Sequence, residues 1–596
     1  MSSTLSKRWL LPTPAPQEVL RRYRGMSPVL AQVLYKRGFE DPNDAHRFVY
    51  ANDDQQVSFP LKGINKKHLD KAVGRIRTAI RLNELIAVYG DFDADGVTST
   101  TLLTQALRVL GANVTPYIPH RIDEGYGLNT PALRELARRG IKLVITVDCG
   151  IRSLQEVKDG KAAGLDIIVT DHHSIGADID LLRQEAYAVI NPKQEVEFEP
   201  LALAGVGVAY LLASTLFRVH LANLPRGKAN GGMLRPDDLL DLVAIGTVAD
   251  LMPLNKMENR ILVRRGLAML NQSKRLGLRA LLEVAGVQLG SATAQTIGFA
   301  LGPRINAAGR LDNAMVAYEL LAAQSEEIAR EFAEKLQALN TKRQDITRAA
   351  QETIKTRLDA EHDVTLPLIF ASDASFEPGI VGLVAGRLTE EFFRPTVVME
   401  EGEHESRASC RSIPQFDITS ALDQCADLLV RHGGHALAAG FTVVNENIPA
   451  LRERLMSIAQ RELVGQQLLP TLEIDAEVQM RDLSIGLVKE LNLLEPCGNS
   501  NPQPLFAMRD LHVDECRTVG KDGKHLKLKV SRPGHPQLDA IGFNLGGLAD
   551  QMPECIDLAF HLEINEWNGR HILQANVQDV HPAGAPQPAK AFSGRR

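Results

Sequence analysis

Apolar runs that stop at acidic residues, with helix-like stretches between them, dominate the first third of the chain. One run opens residues 85–100, LIAVYGDFDADGVTST, and a second is 142–147, KLVITV. A third, 165–170 (LDIIVT), follows. Residues 131–139 and 153–163 read as helices closed by Gly140 and Gly164, as a C-cap requires. Strand, helix, strand, helix predicts a parallel α/β sheet whose buried strands are continuous apolar runs. Residues 204–221 and 237–249 read as apolar helices, and 325–360 as a long charged helix suited to joining two lobes. Its plainer reading is a solvated surface helix. A second α/β segment shows strands at 366–371 and 395–399, with 378–388 between them. From residue 469 the pattern becomes short strands and turns. Within 518–530, TVGKDGKHLKLKV, Asp522-Gly523 marks a hairpin turn.

The runs end in chemistry. The first delivers Asp91, Asp93 and Asp95, the second Asp148-Cys149-Gly150, the third Asp171-His172-His173. In parallel sheets, ligands bind beyond the carboxyl ends of the strands, so the three clusters should meet at one edge. Crowded carboxylates repel unless a cation or water separates them. Hard oxygen ligands at this density suit Mn²⁺ or Mg²⁺. A single Asp after a strand is usually a helix N-cap, and DFDAD alone could be a calcium-type acidic loop or a solvated turn. Three acidic clusters at three strand ends are hard to explain as caps.

Composition narrows the class without naming the substrate. With 596 residues, 44% of them hydrophobic, the chain should hold several domains with real cores. A net charge of −6 gives no bulk signal for nucleic acid, although local basic patches would serve. The six cysteines are scattered with no close CxxC pair. That argues against a zinc site or a disulfide framework and fits a reducing cytoplasm. The N-terminus is too proline-rich for a signal peptide, and no apolar run approaches a membrane span. Residues 581–596, rich in Pro and Ala, read as a disordered tail.

Glycines and basic side chains supply further candidates. Gly379, Gly382 and Gly386 could let backbone approach a phosphate or could serve helix packing. Gly433-Gly434-His435 reads as a loop that opens a helix beside a cationic donor. Along the predicted second strand of the hairpin, His525, Lys527 and Lys529 share one face and Leu526, Leu528 and Val530 the other. The basic face would suit single-stranded nucleic acid or be an ordinary solvated strand face. Phe506 and Phe543 could stack bases or pack a core.

In order, these motifs resemble the DHH phosphoesterase superfamily and, within it, the RecJ family of single-strand-specific exonucleases. The resemblance is carried by GDFDADG at 90–96, VDCG at 147–150, DHH at 171–173 and TVAD at 247–250. It continues through PRINAAGR at 303–310, GIVG at 379–382, SCRS at 409–412, GGHA at 433–436 and PCGNSNP at 496–502. It spans roughly residues 30–580.

The resemblance implies an α/β, two-lobed DHH core with a C-terminal OB-type β-barrel. Its parts would be a helical leader (1–75), a DHH catalytic domain (76–270) and a connecting region with the long helix (271–362). A DHH-associated substrate-binding domain (363–465), the OB domain (466–580) and the tail (581–596) would follow. Two ions, Mn²⁺ or Mg²⁺, would be bridged by Asp148. Asp93 would hold the first; Asp95, His172 and Asp250 the second. Asp91 would support the first site or orient its water, and His173 would stand by the scissile phosphate. Tyr89 replaces a histidine of the phosphatase branches, which leaves the first site one ligand poorer. A mixed His/carboxylate shell favours Mn²⁺ over Mg²⁺. Arg304, Arg310, Arg411 and His435 would grip phosphates, with Asn306, Ser409 and Gly434 adding neutral contacts and Arg121 a weaker candidate. As bland alternatives, the arginines would be surface or ion-pair residues.

The implied function is a 5′-to-3′ exonuclease on single-stranded DNA, in recombination and repair. The implied protein is a cytoplasmic monomer partnered by a single-strand-binding protein and a RecQ-type helicase. One alternative is a DHH phosphodiesterase acting on short oligoribonucleotides or cyclic dinucleotides, although the long β region exceeds what a small substrate needs. A catalytically dead scaffold is disfavoured, because Asp93, Asp95, Asp148, His172, His173 and Asp250 are all retained.

Overall fold

A computed structural model describes residues 7–50, 63–121, 123–125, 127–194, 200–222, 234–360, 366–567 and 569–584. The chain forms two compact units. One comprises Asn52–Gln344 with Pro496–Pro502, and the other Met1–Ala51, Asp345–Glu495 and Gln503–Arg596. The division at 344/345 falls inside the predicted long helix, which runs Glu326–Ala360.

The first unit is built on five parallel strands in the spatial order Asn113–Tyr117, Leu85–Tyr89, Ile141–Thr146, Asp166–Thr170, Ala188–Ile190. The predicted runs are these strands, and they are almost entirely buried because helices cover both faces. Helix Leu154–Ala162 starts at Ser153, and Thr130–Arg138 starts at Asn129, whose side chain accepts from the Ala132 N–H. The order is 2-1-3-4-5, so the sheet reverses direction between Leu85–Tyr89 and Ile141–Thr146. A crevice opens beyond the carboxyl ends of two such strands, and ligands bind there. Helix Gly205–Ala222 is apolar and long enough for a membrane by length and composition. Most of it is buried in the core of this unit, from Val206 to Phe217. The segment predicted at 237–249 is a short 3₁₀ turn followed by helix Leu240–Ala249, with Asp250 as its C-cap.

Among the described residues the second unit holds three sheets, one of them a two-stranded pairing made by the N-terminal segment. A mixed five-stranded sheet runs Leu429–His435, Ala438–Val444, Glu405–Arg411, Thr396–Glu400, Ile369–Asp373. Here the expectation for Gly433-Gly434-His435 is corrected. These residues end a strand that turns back as a hairpin, with Gly434 opposite Ala439 and His435 opposite Ala438. A side chain at Gly434 would run into the Ala438 carbonyl, and that close approach is why glycine stands there.

The C-terminal strands close into a barrel, because Phe506–Val519 pairs on one side with His525–Ser531 and on the other with Cys555–Trp567. The hairpin at Asp522-Gly523 is as expected. Phe506 is buried with Phe560 in the barrel core, so it packs and does not stack a base.

Two boundaries differ from expectation. The leader is not one helical piece. Arg8–Leu10 is a strand paired with Thr471–Glu473, and Tyr23, Leu30, Leu34 and Phe48 pack into the barrel core. Helix Lys66–Arg81 belongs instead to the parallel-sheet unit. At the other end, His581 and Pro582 are still strand, and His581 stacks on Trp9, so the expected tail does not begin there. Residues 585–596 lie outside the described residues.

Candidate metal centre

Each acidic cluster is placed by the strand before it. Leu85–Tyr89 ends in Gly90-Asp91, and Asp93 then caps helix Ala94–Val109, its Oδ1 accepting from the N–H groups of Asp95 and Gly96 at 3.0 Å. Ile141–Thr146 leads to Asp148, which is held at φ +62°. A non-glycine residue at that angle is strained, and such strain persists where the surroundings fix it. Helix Gly205–Ala222 starts against this carboxylate: a Cβ on Gly205 would lie 2.5 Å from that of Asp148. The same helix start holds Asp95, whose carboxylate accepts from Gly205 N–H at 2.6 Å and Val206 N–H at 2.8 Å.

The expected ligands converge. Asp91, Asp93 and Asp148 form one group, Asp95, His172 and Asp250 a second, and Asp148, His172 and His173 a third. In each group the donor atoms lie within 4.8 Å of one another. His172 Nε2 is 3.2 Å from Asp148 Oδ1, 3.5 Å from Asp250 Oδ2 and 4.0 Å from Asp95 Oδ2. Asp148 thus stands between the Asp91/Asp93 side and the His172 side, flanking the reversal of the sheet.

The electrostatics are those of a site short of positive charge. Burial, then the neighbouring Asp93, pushes Asp91 up to about 8. The same causes push Asp250 up to about 7. Burial first, then neighbouring carboxylates, holds Asp95 and Asp148 well above the usual range. Burial pushes His172 down to about 4, so its imidazole is neutral and able to ligate. Asp91 Oδ1, Asp148 Oδ1 and His172 Nε2 are buried and close no hydrogen bond. Buried polar atoms without partners are costly, and divalent cations would satisfy all three. The donor set, carboxylates with one imidazole, fits Mn²⁺ or Mg²⁺. The described cysteines are all free, and Cys149 beside Asp148 is buried and held protonated by that burial.

Three further residues support the clustered ligands. Asp171 is not among the clustered ligands. Its Oδ1 accepts from the N–H groups of His172 (2.7 Å) and His173 (3.0 Å) and meets His173 Nδ1 at 2.8 Å, while Oδ2 accepts from Ile151 N–H. Burial lowers the His173 pKa, but the bond to Asp171 and the surrounding carboxylates outweigh it and raise the net value. Gly205 is the second contributor. Asn499 is the third: its carbonyl accepts from Leu254 N–H at 2.8 Å and its amide binds the Leu251 carbonyl, which fastens the turn after Asp250. Gly205 and Asn499 act through the fold, where no local pattern exists, whereas Asp171 belongs to the triplet at 171–173 and acts on its neighbours.

Arg121 stands against the acidic cluster. Its guanidinium lies 4.8 Å from the centre of the Phe92 ring, and although burial lowers its pKa, Asp91 and Asp93 act in the opposite direction. Tyr89 is buried, its hydroxyl donating to the Gly127 carbonyl. In the same unit, Asn306 accepts from Ala94 N–H at 2.7 Å. Arg304 donates to Gln337 and to the Ala300 carbonyl.

Arg310 lies on helix Gly302–Leu311 of that unit, whereas Ser409, Arg411, Gly434 and His435 lie in the other unit, at one end of the mixed sheet. Ser409 and Arg411 share a strand face, with Arg411 Nη1 donating to Ser409 Oγ at 3.2 Å. The register sets His435 opposite Ala438 and Ala438 opposite Arg411. Gly382 packs at this point, where a Cβ would lie 3.0 Å from Ser409 Oγ. On the barrel, His525, Lys527 and Lys529 do share a face, but Lys527 is 3.5 Å from Asp539 and Lys529 2.9 Å from Glu515. The basic face is therefore largely compensated. Phe543 is half-exposed and meets His525 edge-on.

Three domain profiles match the chain: DHH family, N-terminal domain at residues 85–247, DHHA1 domain at 365–461, and RecJ OB domain at 474–579. The single-stranded-DNA-specific exonuclease RecJ of Bacillus subtilis is 38% identical, over 96% of this chain and 70% of that one. RecJ of Dickeya dadantii is 36% identical, over 93% of this chain and 96% of that one. The crystal structure of RecJ from Thermus thermophilus in complex with Mn²⁺ superposes with a TM-score of 0.81 at 30% identity, covering 98% of this chain and 81% of that one. The same enzyme has been solved with Mg²⁺. At 36–38% identity to RecJ exonucleases over more than nine tenths of its length, the chain belongs to the RecJ family.

Proposed function

We propose that the chain is a metal-dependent exonuclease that hydrolyses phosphodiester bonds of single-stranded DNA from the 5′ end, in recombination and repair. The observation that carries this reading is the convergence of the Asp91/Asp93/Asp148 and Asp95/His172/Asp250 groups on one crevice. In this reading two ions would be held there, one by Asp93 with Asp91 in support and the other by Asp95, His172 and Asp250, with Asp148 placed to serve both. Two cations held there would acidify a water and offset charge on the phosphate oxygens.

The chain's own residues do the rest. Asp171 fixes the His173 ring through Nδ1 and favours its protonated form, so His173 presents a positive group or a proton beside the scissile phosphate. Asp95 is oriented by the start of helix Gly205–Ala222, and Asp93 by the start of Ala94–Val109. Arg121, Arg304, Arg310, Arg411 and His435 are suited to bind phosphates, since guanidinium forks match phosphate oxygens. Ser409, Asn306 and Gly434 lie beside these cations in chain order or register. The barrel, with His525, Lys527 and Lys529, holds the strand. By resemblance to the family, its partners are a single-strand-binding protein and a RecQ-type helicase, with the chain acting as a monomer in the cytoplasm.

The OB-domain match and the near full-length RecJ relatives weigh against the short-oligonucleotide alternative. The test is hydrolysis of 5′- and 3′-labelled single-stranded DNA with Mn²⁺, with Mg²⁺ and with chelator. The 5′ label should leave first, as mononucleotide, and only with metal. Early release of the 3′ label overturns the polarity. Turnover of dinucleotides alone overturns the exonuclease reading.

A further inference from the structure

The helix that carries Arg304, Asn306 and Arg310 begins with an irregularity the proposed chemistry does not use. Ile297–Leu301 is a π-helical turn, in which the Gly302 N–H reaches the Ile297 carbonyl five residues back. Pro303 accounts for the widening. It has no N–H to offer the carbonyl of Phe299, four residues before it, and its ring clashes with that carbonyl in a regular α-helix. Wide turns of this kind are rare and occur often at functional sites. This one is pinned, because Arg304 donates to the Ala300 carbonyl at 2.7 Å and to Gln337 at 2.8 Å.

Phe299 stands on the wide turn and is 84% exposed, more than any other large apolar side chain among the described residues. The helix beneath it is bound to the metal-type centre along its length. Gly302 packs on Ala249, where a Cβ would lie 3.4 Å from the Ala249 side chain, and the neighbouring residue is Asp250. Asn306 holds the Ala94 N–H, next to Asp93 and Asp95. Gly309 lies against the backbone of Phe92. At about 1.5 Å per residue, Phe299 is roughly 10 Å along the axis from Asn306. A water-exposed aromatic thus sits on the same helix that packs against two of the acidic segments. Leu251, 69% exposed and at φ +54°, follows Asp250 directly and adds a second apolar surface at this rim.

We infer that Phe299 is a stacking platform for a base of the substrate strand beside the metal centre; this rests on the exonuclease reading above. Every base offers a π-face, so an aromatic ring grips a strand without reading its sequence. Arginines hold the phosphates, and Phe299 holds a base so that the backbone passes the carboxylates in register.

The test compares Phe299→Ala, Phe299→Leu, Phe299→Tyr and Phe299→Trp with the parent chain on a long labelled single strand. A second substrate carries abasic nucleotides near its 5′ end. For Phe299→Ala, KM should rise roughly five- to a hundredfold, the range that base stacking spans, with kcat within about twofold. Tyr and Trp should restore KM and Leu should not. The abasic strand should raise KM for the parent chain and leave that of Phe299→Ala unchanged. An unaltered KM in Phe299→Ala, or full rescue by Leu, overturns the stacking role while the exonuclease reading stands. A parent chain inactive on single-stranded DNA overturns that reading itself.

Discussion

The acidic rim of the parallel sheet and the basic strand of the barrel carry charge in opposite ways. At the rim, Asp91, Asp95, Asp148 and Asp250 crowd together, and Asp91 Oδ1 and Asp148 Oδ1 are buried with no hydrogen-bond partner. On the barrel, Lys527 and Lys529 are each matched by a carboxylate on a neighbouring strand. The same sequence signal, like charges at alternate positions, therefore means different things. Uncompensated buried charge demands a ligand, because a fold keeps it only at a cost. Compensated surface charge demands none, and exposed pairs of this kind contribute little to stability. The sharper functional claim belongs to the rim.

Asp148→Ala breaks the comparison most severely. Removing the carboxylate between the two groups should take turnover to background while strand binding stays near that of the parent chain. Steady-state kinetics and a binding titration on the same strand check both halves. Residual turnover above background would remove Asp148 from its bridging role.

Proton linkage comes next. In the metal-free chain Asp91 and Asp250 hold protons up to about 8 and about 7, against an ordinary 3.8. A cation needs both ionised, so binding releases protons, and Mn²⁺ affinity should climb as pH rises from about 6 to about 8 and then level. The stability sign follows. Between the ordinary carboxyl pKa and these raised values the folded chain holds more protons than the unfolded one. The metal-free protein should therefore lose stability as pH rises through that window. Titration calorimetry in buffers of different ionisation enthalpy measures the protons, and melts with and without Mn²⁺ measure the stability. A pH-independent affinity would show that the carboxyls are already ionised.

Asp171→Asn should cost less, about 10- to 100-fold in activity, the usual toll for losing a group that orients a functional histidine. It keeps the side-chain shape and removes the charge that raises His173. The alkaline limb of the activity profile should move to lower pH with the His173 pKa. Unchanged rate and profile would make Asp171 a purely local cap.

These residues also show what a sequence can and cannot carry. Asp93, Asp148 and His172 are legible because each follows an apolar run, and a buried parallel strand leaves its next residues at the sheet edge. The parallel order follows from helices between the runs. Gly433-Gly434-His435 misleads because glycines in a strand carry no periodic signal, so a tight hairpin and a helix-opening loop look alike. Gly205 and Asn499 act on Asp148 and on the turn after Asp250 from far along the chain. Their roles depend on packing that has no counterpart in local pattern. The leader's split between two units is of the same kind, since amphipathic helices do not name the core they will join.

The smallest effect sharpens the comparison from the barrel side. Each phosphate neutralised by a free lysine contributes about −0.7 to the slope of log affinity against log salt on a single strand. Two uncommitted lysines would make the Lys527→Ala/Lys529→Ala variant lose about 1.4 of slope. Because Asp539 and Glu515 already meet these ammonium groups, binding a phosphate must first weaken an ion pair, and fewer counterions are released in total. The expected slope change is well under that figure, with only a modest loss of affinity for long strands. Adding Asp539→Asn and Glu515→Gln to the parent chain frees both lysines and should steepen the slope. A full loss of about 1.4 in the double alanine variant would mean the carboxylates swing aside at no cost, and a slope unchanged in every variant would take the strand's path off this face altogether.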